Sequence, residues 1–227
     1  VFEVEATADH QRYALKRLKV GERLHVQAKR IWGELSQLGN PGLLLPTGWR
    51  IGEEQSDEIF FPLIRTCDAH DFVQALGPAV AFSLLVQGTL ALSALHRTGL
   101  CHRDIKPENL LVEETASEKA WLRCRLLLAD LELAGPPGSQ ESESRISGSI
   151  VYLAPETLNT FTHTFASDMF ALGMWAYWAI SGDEPLKAAT ALESIGRTCE
   201  FTALPPVGRI DSRFAGGMWD ELLRFLT

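Results

Sequence analysis

An Asp, a Lys two residues on and an Asn five residues on share the run Cys101-His102-Arg103-Asp104-Ile105-Lys106-Pro107-Glu108-Asn109. Those types at that spacing suit one chemistry. A hydroxyl nucleophile needs a carboxylate to orient it and take its proton. A transferring phosphoryl group needs a nearby cation, and Mg²⁺ needs oxygen ligands. Asp104, Lys106 and Asn109 would supply these in that order. Further on, Asp130 closes the apolar run Arg123 to Ala129 and offers the metal a carboxylate.

The elements around these residues must hold them in register. Val1 to Glu5 and Arg12 to Leu18 read as paired strands around a polar turn with Asp9 and His10. Residues 21–38 read as a helix, because Ala28, Ile31, Trp32, Leu35 and Leu38 recur at three- and four-residue spacing and Gly39-Asn40-Pro41 ends the run. Leu43 to Ile51 and Ile59 to Ile64 read as two more strands across the acidic turn 53–58. Pro62 in the second belongs at a strand edge or end, since it has no donor. From Asp71 the pattern turns helical, with a long apolar helix from Ala79 to His96. Leu110 to Val112 reads as a short strand. Glu113 to Ala120 reads as a solvated loop, and Gly135 to Arg145 as a mobile polar segment. Trp175, Trp178 and Ile180 read as core, and Trp219 to Thr227 as one more amphipathic turn or two.

The octapeptide His102 to Asn109 resembles the H-R-D-x-K-x-x-N catalytic loop of eukaryotic protein kinases. Four more stretches fall in that family's order. Tyr13-Ala14-Leu15-Lys16 resembles the strand whose Lys holds the nucleotide α- and β-phosphates. Asp130-Leu131-Glu132 stands where the family has Asp-Phe-Gly. Gly148 to Glu156, ending in Ala154-Pro155-Glu156, resembles the floor of the substrate site. Ser167 to Gly173 resembles the start of the central helix, with Asp168 twelve residues after Glu156. The resemblance implies an α+β, bilobal kinase-like fold. Residues 1–65 would form a small antiparallel-sheet lobe with one helix. Residues 66–227 would form a mostly helical lobe, with the catalytic loop at 102–109, the metal-binding segment at 130–132 and the activation segment at 130–156. It also implies site residues: Asp104 as base, Lys106 on the phosphate, Asn109 and Asp130 on metal, and Lys16 on the nucleotide. Glu34, eighteen residues after Lys16, would be its helix partner, although counting back from Pro41 puts that position at Ile31. Asp168 would cap the catalytic-loop backbone, and Glu156 would pair with an Arg of the final helices. The hinge would lie at Arg65-Thr66-Cys67-Asp68, with Pro62 or Leu63 as gatekeeper.

The departures are specific. Glu132 replaces a Gly whose backbone freedom other residues lack; it is expected to face solvent or a nearby Arg. The Gly-rich phosphate loop would lie before Val1, trimmed or absent, and the chain is expected to be truncated at both ends. Phe61-Pro62-Leu63, Asp-Leu-Glu and the missing loop together look like the secreted rhoptry kinases of coccidian parasites, including their with-no-Gly-loop branch. That resemblance implies secretion into a parasite organelle or vacuole; the alternative is the cytoplasm.

Composition narrows the partners. The 227 residues carry a formal charge of −8, which argues against nucleic acid. No run of eighteen apolar residues predicts a transmembrane segment. Cys67, Cys101, Cys124 and Cys199 have no metal or redox spacing and are expected to be free thiols. The reading is a Ser/Thr protein kinase using ATP and Mg²⁺ on a protein substrate, with Lys106 and Ser149 as the Ser/Thr marks. The alternative is a pseudokinase acting as a nucleotide-binding or scaffold module. A small-molecule kinase is disfavoured by Ala154-Pro155-Glu156.

Overall fold

The computed structural model describes residues 1–5, 10–19, 24, 26–52, 56–114, 124–138, 150–215 and 217–227. Residues 115–123 and 139–149 lie outside these, and with them most of the polar insertion, Ser139 to Ser147 and Gly148-Ser149. Most of the acidic turn at 53–55 and the expected helix start at 21–23 lie outside them too.

The chain is α+β, as the motif order implies. A four-stranded antiparallel sheet comes first, in the order β1-β2-β4-β3. Its strands are β1 (Phe2–Glu5), β2 (Arg12–Arg17), β3 (Gly48–Arg50) and β4 (Glu58–Pro62). Helix α1 (Val26–Ser36) turns Ala28, Ile31, Trp32 and Leu35 into the core. Its apolar spacing predicts that face; Leu38 falls beyond the helix and is half exposed. Pro62 ends β4 opposite Tyr13, two residues beyond the β3 ladder, so its missing N–H leaves no gap there.

The expected strand from Leu43 to Ile51 is shorter than its pattern. Only Gly48–Arg50 pairs with β4. Pro46 lacks the donor that a continuous ladder needs. The front half turns to the other lobe instead: Leu44 N–H donates to Leu128 O at 2.9 Å and Leu128 N–H to Gly42 O at 2.8 Å. The apolar pattern was right about burial, and the proline decided the pairing.

A second sheet, β5-β6-β7, follows, from Thr66–Cys67, Leu110–Glu114 and Cys124–Leu128. The helices are α2 (Ala69–Leu76), α3 (Pro78–His96), α4 (Pro155–Thr160), α5 (Phe165–Ser181), α6 (Ala191–Cys199) and α7 (Met218–Leu226). Asp68 caps α2 by accepting from Asp71 N–H at 3.0 Å. Gly77, at φ +81°, ends it, and Pro78 opens α3. α3 is long and apolar enough to cross a membrane by length and composition, but it packs on β7 and α5 with half its span buried, as a core helix does. All four cysteines are free thiols, as expected; Cys101 and Cys124 are buried and Cys199 is exposed.

α3 and α5 cross closely at Gly88, where a Cβ would stand 2.9 Å from Leu172 Cδ1. Gly88→Leu should therefore overpack this crossing and lower stability by about 1–3 kcal/mol. A urea unfolding midpoint that stays at the wild-type value would contradict that packing.

Candidate active site

The catalytic-loop residues come together. Lys106 Nζ donates to Asp104 Oδ2 at 2.7 Å, and Asn109 Nδ2 donates to the same oxygen at 2.9 Å and to Asp104 O at 2.7 Å. With its nitrogen committed to Asp104, the Asn109 oxygen is the atom left for a metal. The turn Pro107–Asn109 leads directly into β6, so strand pairing with β7 fixes where Asn109 stands.

Asp168 holds the loop from beneath. Its Oδ2 accepts from His102 N–H at 2.7 Å and its Oδ1 from Arg103 N–H at 2.9 Å, while His96 Nε2 lies 2.9 Å away. This is the capping role its position twelve residues after Glu156 implies. Asp168 is buried in the first turn of α5, whose N-terminus favours a negative charge. A reciprocal cap between Thr164 and Ser167 starts that helix.

His102 is fully buried and ties the loop to the strand before Asp130. Its Nε2 lies 2.8 Å from Ala129 O, and its Nδ1 accepts from Asp104 N–H at 3.2 Å. The ring must therefore be neutral, with its proton on Nε2. Burial pushes its pKa down, against the pull of Asp168 and the Ala129 carbonyl.

Asp130 follows at φ +59°, a left-handed backbone that Asp tolerates better than most residues. Glu132 lies in the 3₁₀ turn Leu131–Leu133 and is not left-handed. The loss of Gly there costs no forbidden backbone in this conformation.

Lys16 reaches this turn from β2. Its Nζ donates to both Asp130 oxygens at 3.0 Å and stands 2.8 Å from Glu132 Oε1. Burial would lower the ammonium's pKa, but Asp130 and then Glu132 outweigh it and hold the value above the ordinary one. Two expectations are corrected here. Glu34 is not the partner of Lys16: it pairs with Arg30 at 2.8 Å on the exposed face of α1, one turn away along the same helix. The position reached by counting back from Pro41 holds buried Ile31, so α1 presents hydrocarbon inward. Glu132 is turned largely away from solvent. It faces Lys16.

Between the sheets lies a cleft of about 440 Å³. Ala14, Leu44, Phe61, Leu111 and Ala129 line it with apolar surface; Lys16, Asn109 and Asp130 line it with polar groups. Pro62 and Leu63, the gatekeeper candidates, both lie on its wall. These residues fit a nucleotide with a hard cation: apolar walls for a base, an ammonium for phosphate, and the Asp130 carboxylate and Asn109 amide oxygen for metal. Among the described residues no three His, Cys, Asp or Glu side chains could hold an ion alone. Phosphate oxygens would have to complete the coordination, as is usual for Mg²⁺. Glu156 is exposed, and no described residue is seen to pair with it.

The protein kinase domain model matches residues 1–213. The chain belongs to the protein kinase family. It is 28% identical over 147 residues to the sporulation protein kinase mde3 of Schizosaccharomyces pombe, covering 64% of this chain and 26% of that one. It is 34% identical over 134 residues to the serine/threonine-protein kinase PkaA of Streptomyces coelicolor, covering 58% and 24%. This kinase chain thus spans about a quarter of the length of these relatives. Its fold is similar to that of the Cydia pomonella granulovirus kinase PK-1, with a TM-score of 0.75 and 19% identity over 99% of this chain and 81% of that one.

The contacts of two named residues were missed by reasoning from sequence. Nothing in the motif pointed to the tie from His102 to Ala129 O. Glu132 stood out as a second carboxylate beside Asp130, and its pairing with Lys16 was not foreseen.

The neutral state of His102 gives the kinase a pH signature. Unfolding returns the ring to a pKa of about 6.5. Its contribution is complete above that value and is lost as pH falls below it, with a slope of at most about 1.4 kcal/mol per pH unit. Wild type should lose more stability than His102→Gln between about pH 7.5 and 5.5. Parallel losses in denaturant titrations would mean that His102 is not the group responsible.

Proposed function

We propose that this kinase chain transfers the ATP γ-phosphoryl group to serine or threonine hydroxyls of proteins. One observation carries the reading: base, cation and metal-side amide converge on a single oxygen, Asp104 Oδ2. When bound, Mg·ATP supplies the phosphoryl group and the metal charge that offsets charge on the phosphate oxygens. Asp104 orients the hydroxyl and takes its proton. Lys106, already within 2.7 Å of Asp104, places a positive charge beside the transferring group. Asn109 and Asp130 hold oxygens at the cleft wall, and Lys16 orients the nucleotide. Such catalysis is mostly positioning and charge. The family's Ala-Pro-Glu segment here begins α4, and Ala154 and Tyr152 share a small cavity with Asp104, which favours a protein hydroxyl as acceptor. The rival reading, a scaffold that binds without transferring, is disfavoured by the assembly of all five polar groups.

The narrower kinship is part of the proposal as well. Phe61-Pro62-Leu63 and Asp130-Leu131-Glu132 support a place near the secreted rhoptry kinases, and secretion would follow from that. Immunolocalisation in the source cell tests it; a diffuse cytoplasmic signal would count against it.

Asp104 does not line the nucleotide cleft. Asp104→Ala should therefore abolish transfer while nucleotide affinity stays near wild type. Radiolabel transfer above roughly 1% of the wild-type rate would remove Asp104 from the role of base.

Asp130 is the carboxylate beside Asn109 on the cleft wall, and Asn109 is neutral. Asp130→Asn should remove the gain in nucleotide affinity that Mg²⁺ confers, measured by calorimetry with and without the ion. If wild type binds ATP equally well in both conditions, the metal role of Asp130 fails and the scaffold reading is preferred.

A further inference from the structure

Two carboxylates on one turn hold Lys16, and they are not equivalent. Asp130 lines the cleft; Glu132 stands behind it, with its side chain about one-fifth exposed. Helix α1 packs against this same turn but brings it no carboxylate. Its inward positions are Ile31 and Leu35, and its Glu34 is paired with Arg30.

Asp130 cannot serve Lys16 and a metal equally. A carboxylate that ligates a divalent cation gives its lone pairs and most of its field to that ion. The ion also repels a nearby ammonium. Lys16 then needs a second anion to stay in the cleft, and the 2.8 Å contact with Glu132 provides one. Because both acids sit on one short turn, the anchor of Lys16 moves with the metal-binding segment and not with α1.

We infer that Glu132 is the positioning residue for Lys16, keeping its ammonium aligned on the nucleotide when Asp130 turns to the metal, in place of any acid on α1. The inference rests on the kinase reading, and the experiment separates the two. Glu132→Gln, Glu132→Asp and Glu34→Gln are compared with wild type for kcat, for KM of ATP, and for affinity toward ADP without metal.

Glu132→Gln should lower kcat by at least about tenfold and change KM less than about threefold, the pattern of lost alignment rather than lost binding. Metal-free ADP should bind at least about threefold more tightly to it, because one anion competing for Lys16 has gone. A purely structural defect would not tighten binding. Glu132→Asp should recover part of kcat, and Glu34→Gln should stay within about twofold of wild type. A kcat for Glu132→Gln within twofold of wild type, or an equal fall in Glu34→Gln, overturns the inference.

If wild type binds ADP but transfers nothing, the kinase reading fails alone. The metal-free ADP arm then decides, and unchanged affinity in Glu132→Gln overturns the inference. If no nucleotide binds, double-mutant unfolding cycles decide. Coupling of Lys16→Met with Glu132→Gln that exceeds its coupling with Glu34→Gln upholds the pair; equal coupling overturns it.

Discussion

The buried carboxylate of Asp168 is the constraint on which the site depends. Two successive backbone N–H groups, from His102 and Arg103, converge on its two oxygens. In an extended strand consecutive amides point to opposite sides, so the loop leaves that geometry to bring both onto one carboxylate. Arg103 itself sits at φ +75°, an uncommon region for a residue with a Cβ. A buried charge without such donors would cost several kcal/mol. The helix terminus, two amides and His96 offset that cost together. Asp104 follows directly, so the orientation of its carboxylate is set one residue away from the strained one.

From that anchor the loop is stitched to the metal-binding segment on both sides. On one side, His102 Nε2 donates to Ala129 O, and Ala129 N–H donates to Asn109 O at 2.8 Å. On the other, Cys101 and Gly135 exchange backbone hydrogen bonds at 2.8 and 3.0 Å, and Arg103 Nη2 donates to Pro136 O at 2.7 Å. The guanidinium lies so close to Gly135 that a side chain there would collide with it. Asp130 lies between these ties. Its position relative to Asp104 is thus a property of the backbone and not of side-chain contact between the two acids.

Much of this was legible in the sequence because the motif couples local chemistry to local geometry. His102 to Asn109 specified its own internal hydrogen bonds. The spacing of Glu156 and Asp168 specified a cap that the structure supplies. What was illegible depended on register between distant elements. Glu34 stands at a family-like distance from Lys16, but one helical turn decides between carboxylate and hydrocarbon. Ile31 and Leu35 belong to the apolar stripe, and burying that stripe turns Glu34 outward to Arg30. The hydrophobic term wins: burying two such side chains is worth about 3–6 kcal/mol, against about 0.3–1 kcal/mol for an exposed ion pair. Similarly, Pro46 cut short a strand that the apolar run from Leu43 predicted, and Leu43 and Leu44 paired with β7.

The Asp-Leu-Glu sequence follows from the same arithmetic. In this conformation the left-handed residue is Asp130, and the chain then coils into a 3₁₀ turn that any residue can enter. Gly at 132 would bring freedom that the fold does not use, at an entropic cost of about 0.5–1 kcal/mol. A Glu there can instead meet a half-buried ammonium. Lys16 on β2 meets no acid of α1 and would otherwise rely on Asp130 alone, whose charge the proposed metal would also draw on. The two departures from the family pattern, an apolar inward face on α1 and an acid at 132, therefore compensate each other: the negative charge missing from the helix reappears on the segment that packs against it.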